Sequence, residues 1–318
     1  MTVIFYSIAY IIDLIIGDPS SWPHPVRIIG SAINGLVKGF RKICRTERQL
    51  KIAGLFLWII IVGGTYFITW GIMRLASFNG FLYGVVTVYL AYTTIAARCL
   101  GDEARKVWNA LLHSPIEKAR RQLSMIVGRD TTELSRDQIA KATVETVAEN
   151  TSDGVIAPLF FLFIGGPPLA MAYKAVNTLD SMVGYQNEKY RSIGYFPAKI
   201  DDIANYIPAR LSWIFISLAS MFLQLSWQDA FRIGWRDRKQ HKSPNCAFPE
   251  GAVAGALGLQ FGGTHQYFGE PVEKPYIGDE TRGITTSDIL LTNKLLYVSS
   301  FLAIFCFAAV RLVVEAFL

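Results

Sequence analysis

The stretch V-E-T-V-A-E-N-T-S-D-G-V-I-A-P-L-F-F-L-F-I-G-G-P-P-L-A-M-A-Y, residues 144–173, decides how this chain is read. It sets Glu145, Glu149, Asn150 and Asp153 at the mouth of an apolar run that two glycines and two prolines interrupt. If the acidic part is helical, Glu145 and Glu149 lie one turn apart on a shared face. Like charges at that spacing repel by about 0.2–0.5 kcal/mol, and no Lys or Arg lies between Glu145 and Asp153. A metal ion, a distant basic group or plain solvent must compensate. The apolar run itself, 155–176, is broken at Gly165-Gly166-Pro167-Pro168, which permits a hairpin that dips into a membrane and returns.

The same apolar character extends in both directions. The 318 residues are 52% hydrophobic and only 18% charged, and mean hydropathy is +0.31, more apolar than a soluble domain of this length. Segments 2–17, 52–73, 78–98 and 294–314 each approach the roughly 20 apolar residues that cross a bilayer. The first contains Asp13 and has neither the basic start nor the cleavage site of a signal peptide, so it is read as retained. Segments 155–176 and 209–225 read as re-entrant or interfacial. Helical spacing of apolar residues recurs over 98–125 and 135–150, whereas 238–250 and 262–285 read as loops rich in Gly, Pro, Asn and Ser. Strand patterning is weak. The expected fold is all-α: a polytopic integral membrane protein with about four full spans, re-entrant or interfacial helices and cytoplasmic polar loops, forming a single membrane-embedded domain over 1–318.

Net charge is +6, but the basic residues flank apolar runs instead of forming the stripes of a nucleic-acid binder, so no nucleic-acid partner is expected. Between the first two spans Arg27, Lys38, Arg41, Lys42, Arg45, Arg48 and Lys51 outnumber Asp18 and Glu47, which places that loop in the cytoplasm and the N-terminus outside. Cys44, Cys99, Cys246 and Cys306 lack metal or disulfide spacing and read as packed thiols.

Polar clusters punctuate the membrane segments. Asp18 and His24 sit among prolines at 17–26, either as a site or as a rigid exit turn with a helix cap. In S-M-I-V-G-R-D-T, 124–131, Arg129 and Asp130 suit an anionic group or a loop before a capping motif. Asn177 and Asp180 share a helix face with Lys174 a turn earlier, and Tyr185 follows them. Asp201, Asp202, Asn205 and Arg210 repeat the theme; acidic groups beside a membrane are functional candidates, with solvated helix ends as the alternative. His241, Ser243, Asn245 and Glu250 fall in W-R-D-R-K-Q-H-K-S-P-N-C-A-F-P-E-G-A, 235–252, where Gly251, Gly255 and Gly258 read as helix-packing positions. Phosphate-loop, dinucleotide, nucleophile-elbow and zinc-protease motifs are absent. The residues therefore point to a carboxylate- and amide-rich site suited to Mg²⁺ and a phosphorylated ligand.

These strings, from D-x-x-x-G-D-P and P-H-P-V (Asp13 to Val26) to P-E-G-A-x-A-G-A-L-G, resemble in order and over nearly the whole length the CbiB/CobD family of cobalamin biosynthesis, the adenosylcobinamide-phosphate synthases. The resemblance implies an ATP-dependent amide ligase in the cell membrane, with its active site on the cytoplasmic side. It would join the propionate carboxyl of adenosylcobyric acid to (R)-1-amino-2-propanol or its phosphate, with the corrinoid as substrate and other membrane-associated late-pathway enzymes as partners. Glu145, Glu149, Asp153 and Asp180 would then carry catalysis and hold Mg²⁺, with one carboxylate as an alternative general base. Lys174, Arg129 or Arg210 would face phosphate. The remaining candidates, Asp18, His24, Asp130, Asn150, Asn177, Tyr185, Asp201, Asp202, Asn205, His241, Ser243, Asn245 and Glu250, would bind substrate. The readings from other classes are a membrane transporter, suggested by Asp13 and the Gly-Gly-Pro-Pro break, and a non-catalytic membrane sensor.

Overall fold

A computed structural model describes residues 2–19, 22–185, 187–267 and 269–317; Ser20 and Ser21 of the G-D-P-S-S-W turn lie outside the described residues. In chain order the helices begin with α1 (Thr2–Ile16), α2 (Pro25–Ile43), α3 (Glu47–Trp58), α4 (Gly64–Ala76) and α5 (Gly80–Tyr92). They continue with α6 (Ala97–His113), α7 (Ile116–Leu123), α8 (Arg136–Thr151), α9 (Ala157–Val183), α10 (Tyr195–Ala204) and α11 (Tyr206–Phe222). Then come α12 (Trp227–Arg236), α13 (Ala247–Leu257), a hairpin of β1 (Phe261–Tyr267) and β2 (Glu270–Ile277), and α14 (Ser287–Phe317). One turn of π-helix, Ile59–Gly63, joins α3 to α4, and another, Ser152–Ile156, joins α8 to α9.

The all-α class is as the apolar patterning requires. Four helical stretches are long and apolar enough to span: Glu47–Ala76, Gly80–His113, Arg136–Val183 and Ser287–Phe317. Three match expected spans, but the fourth is the path through 155–176, while α1, with 15 residues, belongs with α11 among the shorter apolar helices. At about 1.5 Å per residue, α1 falls short of a 30 Å hydrocarbon core. The break foreseen at the glycines is real: Gly165 (φ −129°, ψ 16°) and Gly166 (φ 69°, ψ −169°) leave helical geometry inside α9. Gly166 holds a left-handed φ that Pro168 and the Tyr6 hydroxyl crowd, so a side chain there would be strained.

The chain divides into two compact units. The first comprises Met1–Ala96, Ala157–Asn205 and Phe307–Leu318. Its core joins α2, α3, the first π turn and α9 through Ile33, Leu57, Ile61, Met171, Ala175 and Leu179. Lipid is as apolar as these side chains, so close packing must hold the helices. Gly54 of α3 accordingly lies against the Ile193 carbonyl, with no room for a Cβ. Outward, Ile4, Ile15, Phe67, Phe78 and Phe81 are exposed, as lipid-facing side chains would be.

The second unit is Ala97–Ile156 with Tyr206–Cys306. Here α13 packs on α12: a Cβ on Gly251 would meet Gly234 Cα at 2.8 Å, and one on Gly255 would strike the Asp229 carbonyl. Both glycines are packing positions as expected. Gly258 is not; it ends α13 in the left-handed conformation (φ 66°), a helix C-cap. The hairpin corrects the loop expected over 262–285. Its strands pair antiparallel from Phe261↔Ile277 to Tyr267↔Glu270. Three glycines, two prolines and mixed polarity hid it, because tertiary bonds replace the missing alternation of an apolar face: Asp130 N donates to Gln266 O at 2.9 Å, and Gly269 N donates to Asp130 Oδ2 at 2.8 Å.

Candidate functional site

In the second unit the site is built on α8. Ser135 and Gln138 form a reciprocal capping box that starts this helix, and small Ala, Thr and Val side chains let it be buried on nearly every face. Glu145 and Glu149 therefore point into protein, one turn apart. The distant basic group proves to be Arg129, whose guanidinium donates to Glu145 Oε2 at 2.5 Å, while Gly262 N donates to Oε1 at 3.1 Å. Glu145 is 5% exposed, so this pair is desolvated. Glu149 instead accepts a hydrogen bond from the Cys246 thiol, Sγ to Oε1 3.2 Å. Asp153 occupies the π turn that follows α8, a register change common at functional sites. Asn150 turns back on its own helix and donates to Thr146 O at 2.9 Å.

The opposite wall is α13 and the segment before it. Glu250 lies one turn beyond Cys246 and is buried; burial, and then the charge of Glu149, push its carboxyl well above the usual range. Burial also lowers the Cys246 thiol's tendency to ionise, with Glu149, Asp153 and Glu250 adding to the effect. His241 is held below the ordinary imidazole range by burial, and its Nδ1 accepts from Ser243 N at 3.0 Å. From β2, Lys274 reaches this group. Burial works against its charge, but Glu250, Tyr267, Glu149 and Glu145 outweigh it and raise the ammonium's pKa. Glu149, Glu250, Lys274 and His241 thus form one interacting, partly buried group in which burial and neighbouring charge shift Glu250, Lys274 and His241.

Asn245 and Arg210 hold the Ser-Pro-Asn turn. Arg210 Nη1 donates to Asn245 Oδ1 at 2.9 Å, with its guanidinium 3.6 Å from the Tyr206 ring centroid and 4.3 Å from that of Phe248. Asn245 N in turn donates to Ser243 Oγ at 3.4 Å. Sequence reasoning missed Lys274 and Lys141, and it read Cys246 only as a packed thiol. Cys246 sits inside a quoted motif, but a lone thiol carries no spacing signal. Lys274 lies in the segment taken for loop.

In the first unit, His24 Nε2 lies 3.3 Å from Asp18 Oδ1, and both line a cavity of about 430 Å³ with Lys174, Arg27 and Thr93. Tyr92 donates to the Gly17 carbonyl and Tyr89 to that of Pro23 at 2.8 Å, which fixes the turn around the pair. Asn205 joins Tyr173, whose hydroxyl donates to its Oδ1 at 2.7 Å, to Asp201, which accepts from its Nδ2 at 2.9 Å. This buried chain ties α9 to α10. Asp202 pairs with Lys199 at 3.6 Å, Tyr185 lies beside Tyr190 with ring centroids 6.2 Å apart, and Asn177 and Asp180 share α9. Glu145, Glu149, Asp153, Glu250 and His241 thus belong to the second unit, whereas Asp18, His24, Lys174, Asn177, Asp180 and Asp201 belong to the first. Among the described residues no group of three or more His, Cys, Asp or Glu is placed to share a metal ion.

Such a molecule is a polytopic helical membrane protein with desolvated carboxylate, thiol and lysine groups set beside its apolar helices. The model of the CobD/Cbib protein family matches residues 6–296, and the chain belongs to that family. It is 53% identical over 312 residues to the cobalamin biosynthesis protein CobD of Citrobacter koseri, covering 98% of each chain. It is 54% identical to CobD of Listeria monocytogenes, covering 98% of this chain and 99% of that one, and 52% identical to CbiB of Salmonella typhi, covering 98% of each. No solved structure matches. A role in cobalamin biosynthesis follows from the family.

Proposed function

We propose that this protein forms the amide bond between a propionate carboxyl of adenosylcobyric acid and aminopropanol or its phosphate, with consumption of ATP. The supporting observation is the hydrogen bond from the Cys246 thiol to Glu149, in a group with Lys274 and with Glu250, whose carboxyl burial and the Glu149 charge push well above the usual range. Forming an amide requires the attacking amine to lose a proton, and a carboxylate in such surroundings accepts it. Glu145 accepts from both Arg129 and Gly262, so its part is to anchor the loop and the hairpin that carry these groups. In the second unit Glu149 and Asp153 are hard oxygen donors of the kind that suits Mg²⁺, which keeps most of its ligands as water and phosphate, and in the first unit Asp180 is another. Bound Mg·ATP would activate the acid as an acyl phosphate and neutralise the developing charge.

The basic residues of α2 and the start of α3 favour an orientation with the polar segments in the cytoplasm of a multi-pass cell-membrane protein. A cysteine at Asn79 should react with an impermeant maleimide from outside; protection there, with labelling at residue 239, would invert this orientation.

The deciding experiment incubates the purified protein in detergent with ATP, Mg²⁺, adenosylcobyric acid and aminopropanol phosphate, followed by mass spectrometry. The amide product is expected. Its absence, with corrinoid uptake in proteoliposomes, would replace ligation by transport, the reading that the helix break at Gly165-Gly166 favours.

A further inference from the structure

The second unit holds a cavity of about 360 Å³ between the 129–134 loop, the first turns of α8 and the hairpin. Arg129 and Gly262, the two hydrogen-bond partners of Glu145, are among its lining residues. Its polar wall is formed by Thr132, Gln138, Thr264, His265 and Gln266. The charges at its edge are already committed. Arg129 serves Glu145, the Asp130 carboxylate takes Gly269 N, and Lys141 Nζ donates to Gly262 O at 3.0 Å. Glu133 stands exposed on the rim, so among the lining residues two carboxylates match two cations, and neither cation is left to receive an anion.

His265 supplies the second clue. The residue is 9% exposed, and its Nδ1 is buried with no hydrogen-bond partner. Its ring hydrogen-bonds to the Gly262 backbone, which therefore runs through Nε2. Burial and the Arg129 charge hold the imidazole to about 4, so at neutral pH Nδ1 is a bare lone pair that seeks a donor. A phosphate or carboxylate would bring acceptors to a place already rich in them.

We propose that this cavity binds a neutral carboxamide- or hydroxyl-bearing group, which donates toward His265 and is received by the side chains of Gln138, Thr264 and Gln266. The inference rests on the ligase reading in one respect: there the group is one of the carboxamide arms fringing the corrinoid, held so that the reacting carboxyl faces the carboxylate cluster. It assigns to the hairpin the recognition of the corrinoid and not of the nucleotide.

The test measures equilibrium binding of cobyric acid, followed by its visible absorbance, and separately of ATP, to the full-length protein in detergent. Thr264→Val with Gln266→Leu keeps strand-forming side chains at exposed positions and removes two polar partners; His265→Phe removes the buried acceptor. Each variant should bind cobyric acid roughly tenfold or more weakly, about one lost hydrogen bond or two, with ATP affinity unchanged. Unchanged cobyric acid affinity in the double variant overturns the proposal, even should His265→Phe misfold. Lost ATP affinity with corrinoid binding intact overturns it as well and makes the cavity a nucleotide site. Wild-type protein that binds cobyric acid through these residues but makes no amide would sink the ligase reading and leave the cavity assignment standing.

Discussion

Replacing Arg129 by Met tests whether the Glu145 charge depends on one partner. The substitution keeps most of the side-chain volume but strips the guanidinium from a carboxylate that is 5% exposed, leaving Gly262 N at 3.1 Å as its hydrogen-bond partner among the described residues. Removing one member of a buried pair typically costs about 3–5 kcal/mol, because the survivor is a desolvated, uncompensated charge. With a shift of roughly 2–4 °C per kcal/mol for chains near this size, the melting temperature should fall by roughly 6–20 °C. The assay is intrinsic-fluorescence unfolding in detergent at one fixed scan rate, since membrane proteins commonly unfold irreversibly. Adding Glu145→Gln should restore most of the loss: the amide keeps an acceptor for Gly262 N but carries no charge. A single variant within about 1 kcal/mol of wild type, or a double variant no better than the single, would refute the pairing argument.

Three further outcomes are expected. Glu149→Gln should lose most of the stabilisation that Mg²⁺ with a non-hydrolysable ATP analogue gives the wild type, about 2.7 kcal/mol at a hundredfold excess over Kd; an undiminished shift would place the nucleotide elsewhere. Asp180→Asn should abolish amide product while leaving membrane insertion and expression intact; near-normal turnover across a range of Mg²⁺ concentrations makes Asp180 structural. Glu250→Gln should stabilise the protein at pH 7–8 and change little near pH 4. The folded-state pKa of Glu250 lies above the unfolded value of about 4.3, so folding must hold on to a proton and wild-type stability falls as pH rises between the two values. Equal stability of the two proteins across that window would mean that Glu250 is ionised in the fold.

The apolar runs made the helical membrane class legible, because bilayer thickness dictates segment length whatever the tertiary structure. The shared face of Glu145 and Glu149 followed from helix periodicity alone, and the break at Gly165-Gly166 from proline and glycine stereochemistry. Their partners did not follow. Arg129 lies 16 residues from Glu145, and Gly262 lies 117 away; nothing in local spacing marks either. The hairpin escaped notice because its strands are polar on both faces and are held by Asp130, a residue that helix and strand periodicities both ignore. Asn150 and Arg210 looked like ligands by type, but one satisfies its own helix and the other is clamped between two aromatic rings. Residue type names the candidates; only burial and geometry separate those that are already satisfied.

The acidic crowding that the sequence leaves to a metal ion, a distant basic group or solvent is relieved in the second unit in three different ways. Glu145 is neutralised by a guanidinium, Glu149 takes a thiol hydrogen, and Glu250 keeps its own proton. These are not equivalent. An arginine cannot give up its charge near neutral pH, so Glu145 is fixed as a carboxylate and is poorly suited to exchange protons. A thiol whose own ionisation is suppressed by burial donates a hydrogen bond to Glu149 Oε1 without surrendering its proton. Burial and the Glu149 charge push the neighbouring Glu250 carboxyl well above the usual range, toward its protonated form. Environments that push neighbouring carboxyl groups apart in acidity are how one pocket supplies an acid and a base at a single pH. Under the ligase reading Glu149, which accepts from the neutral thiol, is the carboxylate proposed to receive the amine's proton, while Glu145 holds the architecture. The order of damage follows: Glu149→Gln should depress turnover at unchanged stability, and Glu145→Gln should depress stability first, because Arg129 is then the buried charge without a partner. Equal loss of turnover per unit loss of stability in both variants would dissolve the distinction.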